Sequence, residues 1–301
     1  MYFRPALTLL LLTLAFSRAA ADEPRRVSVA VLEMGASPTA ARVSERLTRR
    51  LAALVIKDTT LAVLDRGMSA AAARGAGYAG SLNMTLAEAR ALGAAVGCDF
   101  FLTGDAQTIR RSSSARPMYF EAYASVFVVS ARTGRLVTWD RPSAEGATAE
   151  EAEAALLATL ERDAAALYAG AVALEAGREE RVRFEPEPAG GAVIDLSTGD
   201  GASANPDLRE PAPYRRLRPA YTEAAARAEA EATVDVAVEI GDDGRVGGVT
   251  VVRWAGFGLD EEVVSTVRRM NFRPAERDGE SVAVRVLLRY NFRRPPKTPS
   301  K

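Results

Sequence analysis

The chain has 301 residues and carries 39 basic and 39 acidic side chains, so its formal net charge is zero and no strong field draws it to nucleic acid or to an anionic membrane. It contains no histidine, which removes Ser-His-Asp and Cys-His catalysis, histidine-ligated zinc and the commonest general base near neutral pH. Its one cysteine, Cys98, excludes an internal disulfide and any multi-cysteine metal site.

The first residues read as a targeting segment. Arg4 gives a basic start, Pro5 to Phe16 is apolar, and Ala19-Ala20-Ala21 offers a small-residue cleavage site before Asp22. The apolar run is shorter than the ~20 residues of a membrane span. The expectation is a cleaved signal over residues 1–21 and a periplasmic protein that starts at Asp22. The alternative is an uncleaved anchor in the inner membrane, facing the periplasm. Only in that case would the chain contact a membrane.

Residues 26–175 read as an α/β domain. Val27 to Leu32 is a β-branched run suited to a buried strand. Ser37 and Thr39 can cap a helix in which Val43, Leu47, Leu51 and Leu54 recur at helical spacing. Leu61 to Leu64 reads as a second strand. Asp65-Arg66 after it is either a binding pair or a strand-end ion pair or helix cap. Thr85-Leu86-Ala87-Glu88 is a capping-box pattern that opens a helix through Ala95. Cys98 sits in an apolar stretch and reads as packed core. Phe100 to Leu102 is a third strand. From Tyr119 to Ser130, Phe120, Ala122, Ala124, Val126 and Val128 share one face. Thr133-Gly134 turns the chain, and Leu136 to Trp139 returns as a hairpin partner. A long helix follows from about Thr148, with Leu156, Leu160, Ala164 and Leu167 on one stripe. This order gives an α/β layer with an antiparallel edge.

Residues 176–213 read as a flexible linker, with Glu185-Pro186-Glu187-Pro188, Gly190-Gly191 and Asn205-Pro206 and little periodicity. Residues 214–294 read as an α+β domain: a three-stranded antiparallel sheet with helices on one face. Tyr221 to Ala232 favours a short exposed helix. Val234, Val236, Val238 and Ile240 alternate in a strand, Gly241 to Gly244 turns, and Val246 to Val252 returns. Val263, Val264, Val267 and Met270 repeat at helical spacing behind Asp260-Glu261-Glu262, whose charge favours a helix N-terminus. Phe272-Arg273-Pro274 stops that helix. Val282 to Phe292 alternates in a last strand. Residues 295–301 read as a disordered tail.

The blocks of the C-terminal region resemble the TonB C-terminal domain. They are Tyr221 and Glu223, Thr233-Val234-Asp235-Val236, Asp243-Gly244-Arg245-Val246, Val252 to Gly256, Leu259 to Val264, Met270 to Ala275, and Gly279. Thr222 stands where the family usually has Pro, Ala232 where it has Gly, Trp254-Ala255 where it has paired Ser, and Met270 where Trp is common. The resemblance implies a non-catalytic module that takes an extended segment of an outer-membrane receptor as an added strand on its sheet edge. The implied partner-binding residues are Val282, Val284, Arg285, Val286, Leu288, Arg289, Tyr290 and Phe292. Arg285, Arg289, Arg293 and Arg294 are either a basic contact rim or charge that protects the edge from aggregation. No catalytic, cofactor-binding or metal-binding residue is expected.

The first domain resembles CsgG-like and TolB-amino-terminal-like envelope domains. The matching stretches are Val29 to Leu32, Ser44 to Leu47, Leu64 to Arg66, Ala91 to Gly93, Gly97 to Gly104 and Ala131 to Arg135. Two functions follow. One is a periplasmic TonB-family protein that binds envelope partners through its C-terminal domain and serves energy transduction to outer-membrane transporters. The other is an adaptor for envelope assembly or secretion, with the CsgG-like domain as the main functional unit. No nucleic-acid partner is implied.

Overall fold

A computed structural model describes residues 25–56, 59–112, 115–184, 193–197 and 207–294. The expected signal segment and C-terminal tail lie outside the described residues, as do 185–192 and 198–206 of the expected linker. Among the described residues, no helix is long and apolar enough to cross a membrane.

The first layer contains β1 (Arg25–Val31), α1 (Pro38–Ala52), β2 (Thr59–Val63), α2 (Arg66–Gly75), α3 (Leu86–Val96), β3 (Phe100–Arg111), β4 (Tyr119–Ser130), β5 (Leu136–Asp140) and β6 (Ser143–Gly146). They form one sheet in the order β2-β1-β3-β4-β5, with β6 also paired to β4. β1 runs parallel to β2 and β3, and the later pairings are antiparallel. β3 continues well beyond Leu102, because it stays in register with β4 from Phe100↔Ser130 to Arg111↔Tyr119.

The helix starts follow from local chemistry. Ser37 caps α1 by accepting from Ala40 N at 3.0 Å. Asp65 caps α2 by accepting from Met68 N at 2.8 Å, and Arg66 donates to the Ala41 carbonyl, so Asp65 acts as a helix cap. Thr85 and Glu88 close a reciprocal capping box on α3. Cys98 is half-buried, and burial pushes its thiol up to about 12, which keeps it protonated and unreactive at neutral pH.

A long helical arm follows: α4 (Ala149–Thr159), a π-helical turn (Leu160–Ala164) and α5 (Ala165–Phe184). The expected stripe is correct through Ala164 and fails at Leu167, which is 54% exposed. The extra residue of the π turn rotates the following helix, so that Ala165, Tyr168, Ala169 and Val172 take the buried face. With α1, this arm covers the face of the sheet that carries Val29, Val31, Phe100, Leu102, Val126 and Val128.

The opposite face presents Ala30, Leu32, Phe101, Phe127 and Val129. Part of it is covered by α2 and α3, and the rest by the C-terminal region. That region contributes β7 (Ile194–Asp195), β8 (Leu208–Arg209), β9 (Ala212–Pro213), α6 (Glu223–Ala228), β10 (Ala232–Ile240), β11 (Val246–Arg253), α7 (Leu259–Arg268), β12 (Phe272–Arg273), β13 (Ala275–Arg277), β14 (Glu280–Val282) and β15 (Val284–Phe292). Its main sheet has the order β11-β10-β15-β7: three long antiparallel strands and one short parallel strand. β8 pairs with β13 and β9 with β12, so described parts of the expected linker are built into the C-terminal domain.

The two regions share one apolar core. Trp254 is 1% exposed and lies over Phe127 with ring centroids 5.9 Å apart. Phe257 meets Phe127 edge-on at 5.3 Å and Trp139 at 5.6 Å. Polar contacts fix the docking. The Trp254 indole donates to the Gly134 carbonyl at 3.0 Å, and Trp254 N donates to Met84 O at 3.1 Å. Asn83 donates from its amide to the carbonyls of Thr233 and Trp254 and accepts from Thr233 N. Gly256 adopts φ +72°, and a Cβ there would lie 2.3 Å from the Phe127 ring, so the approach admits only glycine.

Trp254→Ala removes a buried indole and its hydrogen bond, at an expected cost of about 3–5 kcal/mol. Urea denaturation of the native protein should give a single transition. In the variant, NMR amide signals of β10 and β15 and those of β3 and β4 should be lost at separate urea midpoints. A variant that unfolds at the native midpoint would contradict the shared core.

Candidate partner-binding site

The C-terminal sheet has two long outer strands. β11 ends against the first domain, where Arg253 and Thr85 form an isolated bridge and Arg253 approaches Glu88 at 3.5 Å. β15 pairs along its full length with β10, from Ile240↔Val284 to Ala232↔Phe292. On its other side only β7 pairs, at Val284 and Arg285. Among the described residues, no strand pairs with that side from Val286 to Phe292.

Which main-chain groups face this open side follows from β7. The Ala283 carbonyl accepts from Ile194 N at 3.1 Å, and the Arg285 carbonyl accepts from Leu196 N at 2.7 Å. In an antiparallel strand a residue's N–H and C=O point to the same side, and the side alternates along the chain. Leu287, Arg289 and Asn291 therefore direct their main-chain groups outward. Val284, Val286, Leu288, Tyr290 and Phe292 spend theirs on β10. Their side chains face the apolar core, where Val284 and Phe292 are buried and the other three half-buried.

The expected site residues are thus not one set. Val282 lies in β14, paired with Ala275 of β13, because the chain leaves that hairpin at Ala283 before β15 begins. Val284 and Arg285 are already paired with β7. The open edge begins at Val286. Leu287 and Asn291 lie outside the expected set, although period-two alternation from any one fixed outward residue would have found them.

The other face of the sheet is polar and largely self-neutralised. Asp235 is 3% exposed and accepts two hydrogen bonds from Arg289, at 2.8 and 2.9 Å, with Arg253 at 3.4 Å. Arg285 donates to Glu239 at 2.6 Å and lies 3.5 Å from Asp195. Arg294 pairs with Glu229 at 2.8 Å. Three of the four arginines expected at the rim are thus paired within the chain. Arg285 and Arg289 tie β15 to β10, and Arg294 ties the chain after β15 to the end of α6.

Side-chain hydrogen bonds fix the helices behind the sheet. Thr222 caps α6 by accepting from Ala225 N at 3.0 Å, and its hydroxyl donates to Phe257 O. Asp260, in the first turn of α7, reaches back to accept from Ala255 N at 2.9 Å and Gly256 N at 2.7 Å. This pins the loop that carries Trp254 and Phe257. Burial pushes the Asp260 carboxyl up to about 7, and the two main-chain donors only partly oppose it. Asp260 also borders a cleft of about 500 Å³ between β5 and α7, lined in part by Leu136, Trp139, Trp254 and Val264.

An acid whose folded value lies above its unfolded one of about 3.9 stabilises the fold most below that pH. The contribution is lost as pH rises toward 7. Asp260→Asn cannot titrate. In urea denaturation from about pH 4 to about pH 8, the native protein should lose a few kcal/mol relative to this variant. Parallel stability curves would contradict the burial of that carboxyl.

No curated protein matches the chain. Among solved structures, the chain is similar to the hypothetical protein CT253 from Chlamydia trachomatis, at 16% identity and a TM-score of 0.35, covering 49% of this chain and 98% of that one. It is similar to the Pseudomonas aeruginosa TonB C-terminal domain, at 22% identity and a TM-score of 0.25, covering 37% and 99%. It is similar to the PelC dodecamer from Paraburkholderia phytofirmans, at 12% identity and a TM-score of 0.27, covering 48% and 89%. Residues 218–293 match the family model of the Gram-negative bacterial TonB protein C-terminal domain, and this segment of the chain is a domain of that family.

Proposed function

We propose that this chain is a non-catalytic periplasmic adaptor that holds an envelope partner by strand addition on β15. The observation that carries the reading is the open edge. Leu287, Arg289 and Asn291 offer three outward N–H and C=O pairs, spaced at about 7 Å intervals along the strand. An extended partner segment gains its affinity from those main-chain groups and its register from alternate side chains. The TonB C-terminal family supports an outer-membrane receptor segment as that partner.

The docking of the domain bears on how it would work. A transducer that delivers force to outer-membrane transporters needs a module on a long free tether. Here Trp254, Phe257 and Asn83 bind the module to the α/β domain. That arrangement favours an adaptor with fixed geometry over energy transduction. The envelope role of the α/β domain, as a CsgG-like or TolB-like unit, rests on its sequence blocks alone.

Two experiments test the reading. A photo-crosslinking amino acid at position 287, in cells, should give adducts whose mass spectra contain extended segments of outer-membrane proteins. Leu287→Pro, carried with the crosslinker moved to position 289, should lower those adducts at least ~10-fold, because proline removes an outward N–H without touching the β10 ladder. Equal adduct yields in the two proteins would overturn strand addition. Separately, the protein recovered from the periplasm should begin at Asp22. Recovery from the inner membrane with residues 1–21 intact would instead support the anchored alternative.

A further inference from the structure

The open edge is not empty at its start. β7 lies there in parallel, with Ile194 beside Val284 and Asp195 beside Arg285. Two main-chain bonds hold it, from Ile194 N to Ala283 O and from Leu196 N to Arg285 O. Ile194 and Leu196 are half-buried against the shared core, and Asp195 faces Arg285 at 3.5 Å. Asp195 also accepts from Ser197 N at 2.8 Å and from the Ser197 hydroxyl at 2.5 Å. That turn follows β7 directly, and β7 covers only the first two residues of β15.

The attachment is weak by its own chemistry. Two main-chain hydrogen bonds contribute little in net terms, because each replaces bonds to water. The Arg285–Asp195 pair is 41% and 46% exposed, and Arg285 already has Glu239 as a closer partner, so that pair adds little. A longer incoming strand could use the same acceptors at Ala283 and Arg285 and continue along Leu287, Arg289 and Asn291. It would gain more main-chain bonds than β7 forfeits.

We propose that β7 is a resident stand-in for the partner strand: the β15 edge takes, in parallel, an extended segment whose two apolar residues flank an acidic residue facing Arg285, and such a segment binds by displacing β7. This rests on the reading of β15 as the binding edge. It adds a side-chain pattern and an intramolecular competitor. While β7 occupies the edge, the apparent affinity for a partner falls in proportion to the fraction of molecules with the edge vacant.

The test is an NMR titration of the full chain with a synthetic copy of residues 192–198. The double variant Ile194→Asp/Leu196→Asp vacates the edge. It should bind this peptide at least ~10-fold more tightly than the native protein, with shifts at Leu287 and Arg289. Asp195→Lys, which leaves the apolar contacts in place, should show a smaller gain and guards against misfolding of the double variant. In the vacated protein, Arg285→Glu should weaken the peptide, and a peptide with lysine in place of its aspartate should recover the loss. Equal affinity in native and vacated proteins would overturn the competitor. Indifference to the charge reversal would overturn the acidic preference. If the titration fails while adducts at position 287 persist, strand addition stands and the role of β7 falls; if both fail, the edge itself is not the site.

Discussion

The structure depends on one aromatic contact, Trp254 on Phe127. Phe127 belongs to the central hairpin of the α/β sheet and Trp254 to the loop after β11, so the contact joins two regions separated by more than a hundred residues of chain. A buried aromatic pair contributes through its large apolar area and through ring geometry. Phe257 and Trp139 extend the cluster, and Asp260 holds the loop by its main chain. Gly256 is required because no side chain fits between the loop and the Phe127 ring. What reads as two domains on a tether is therefore two layers of one body.

That junction engages the Arg253 end of β11. The β11 end is consumed by the first domain through Arg253, Thr85 and Glu88. Among the described residues, no strand pairs with the outer side of β15 from Val286 to Phe292. Arg289, Arg285 and Arg294 are tied to Asp235, Glu239 and Glu229, so their charge is largely spent within the chain. Arg285 is the place where the two meet, since it faces both Glu239 and Asp195. The short strand β7 lies there, beside Val284 and Arg285.

Much of this was legible in the sequence because it rests on local rules. Helix caps at Ser37 and Thr85, the alternation from Ala122 to Val128, and the ordered blocks from Tyr221 to Gly279 all register within a few residues. What escaped is what local rules cannot carry. Leu167 fails because a π turn shifts helical phase, and no spacing rule announces one. Val282 fails because alternation continues across Ala283 while the chain changes sheets. Trp254 stood out in the sequence only as a departure from the family pattern. Its meaning needs Phe127, which no short-range pattern connects to it. Ile194-Asp195-Leu196 did carry a visible apolar alternation, but the surrounding prolines and glycines made the whole stretch read as linker.

The central claim is that the C-terminal domain is fixed to the α/β domain and presents β15 from that fixed position. Backbone ¹⁵N relaxation of the intact protein tests it most directly. Amides of β3 and β4 and amides of β10 and β15 should share one rotational correlation time. A distinctly shorter correlation time for β10 and β15, as for a small domain tumbling on a tether, would contradict it.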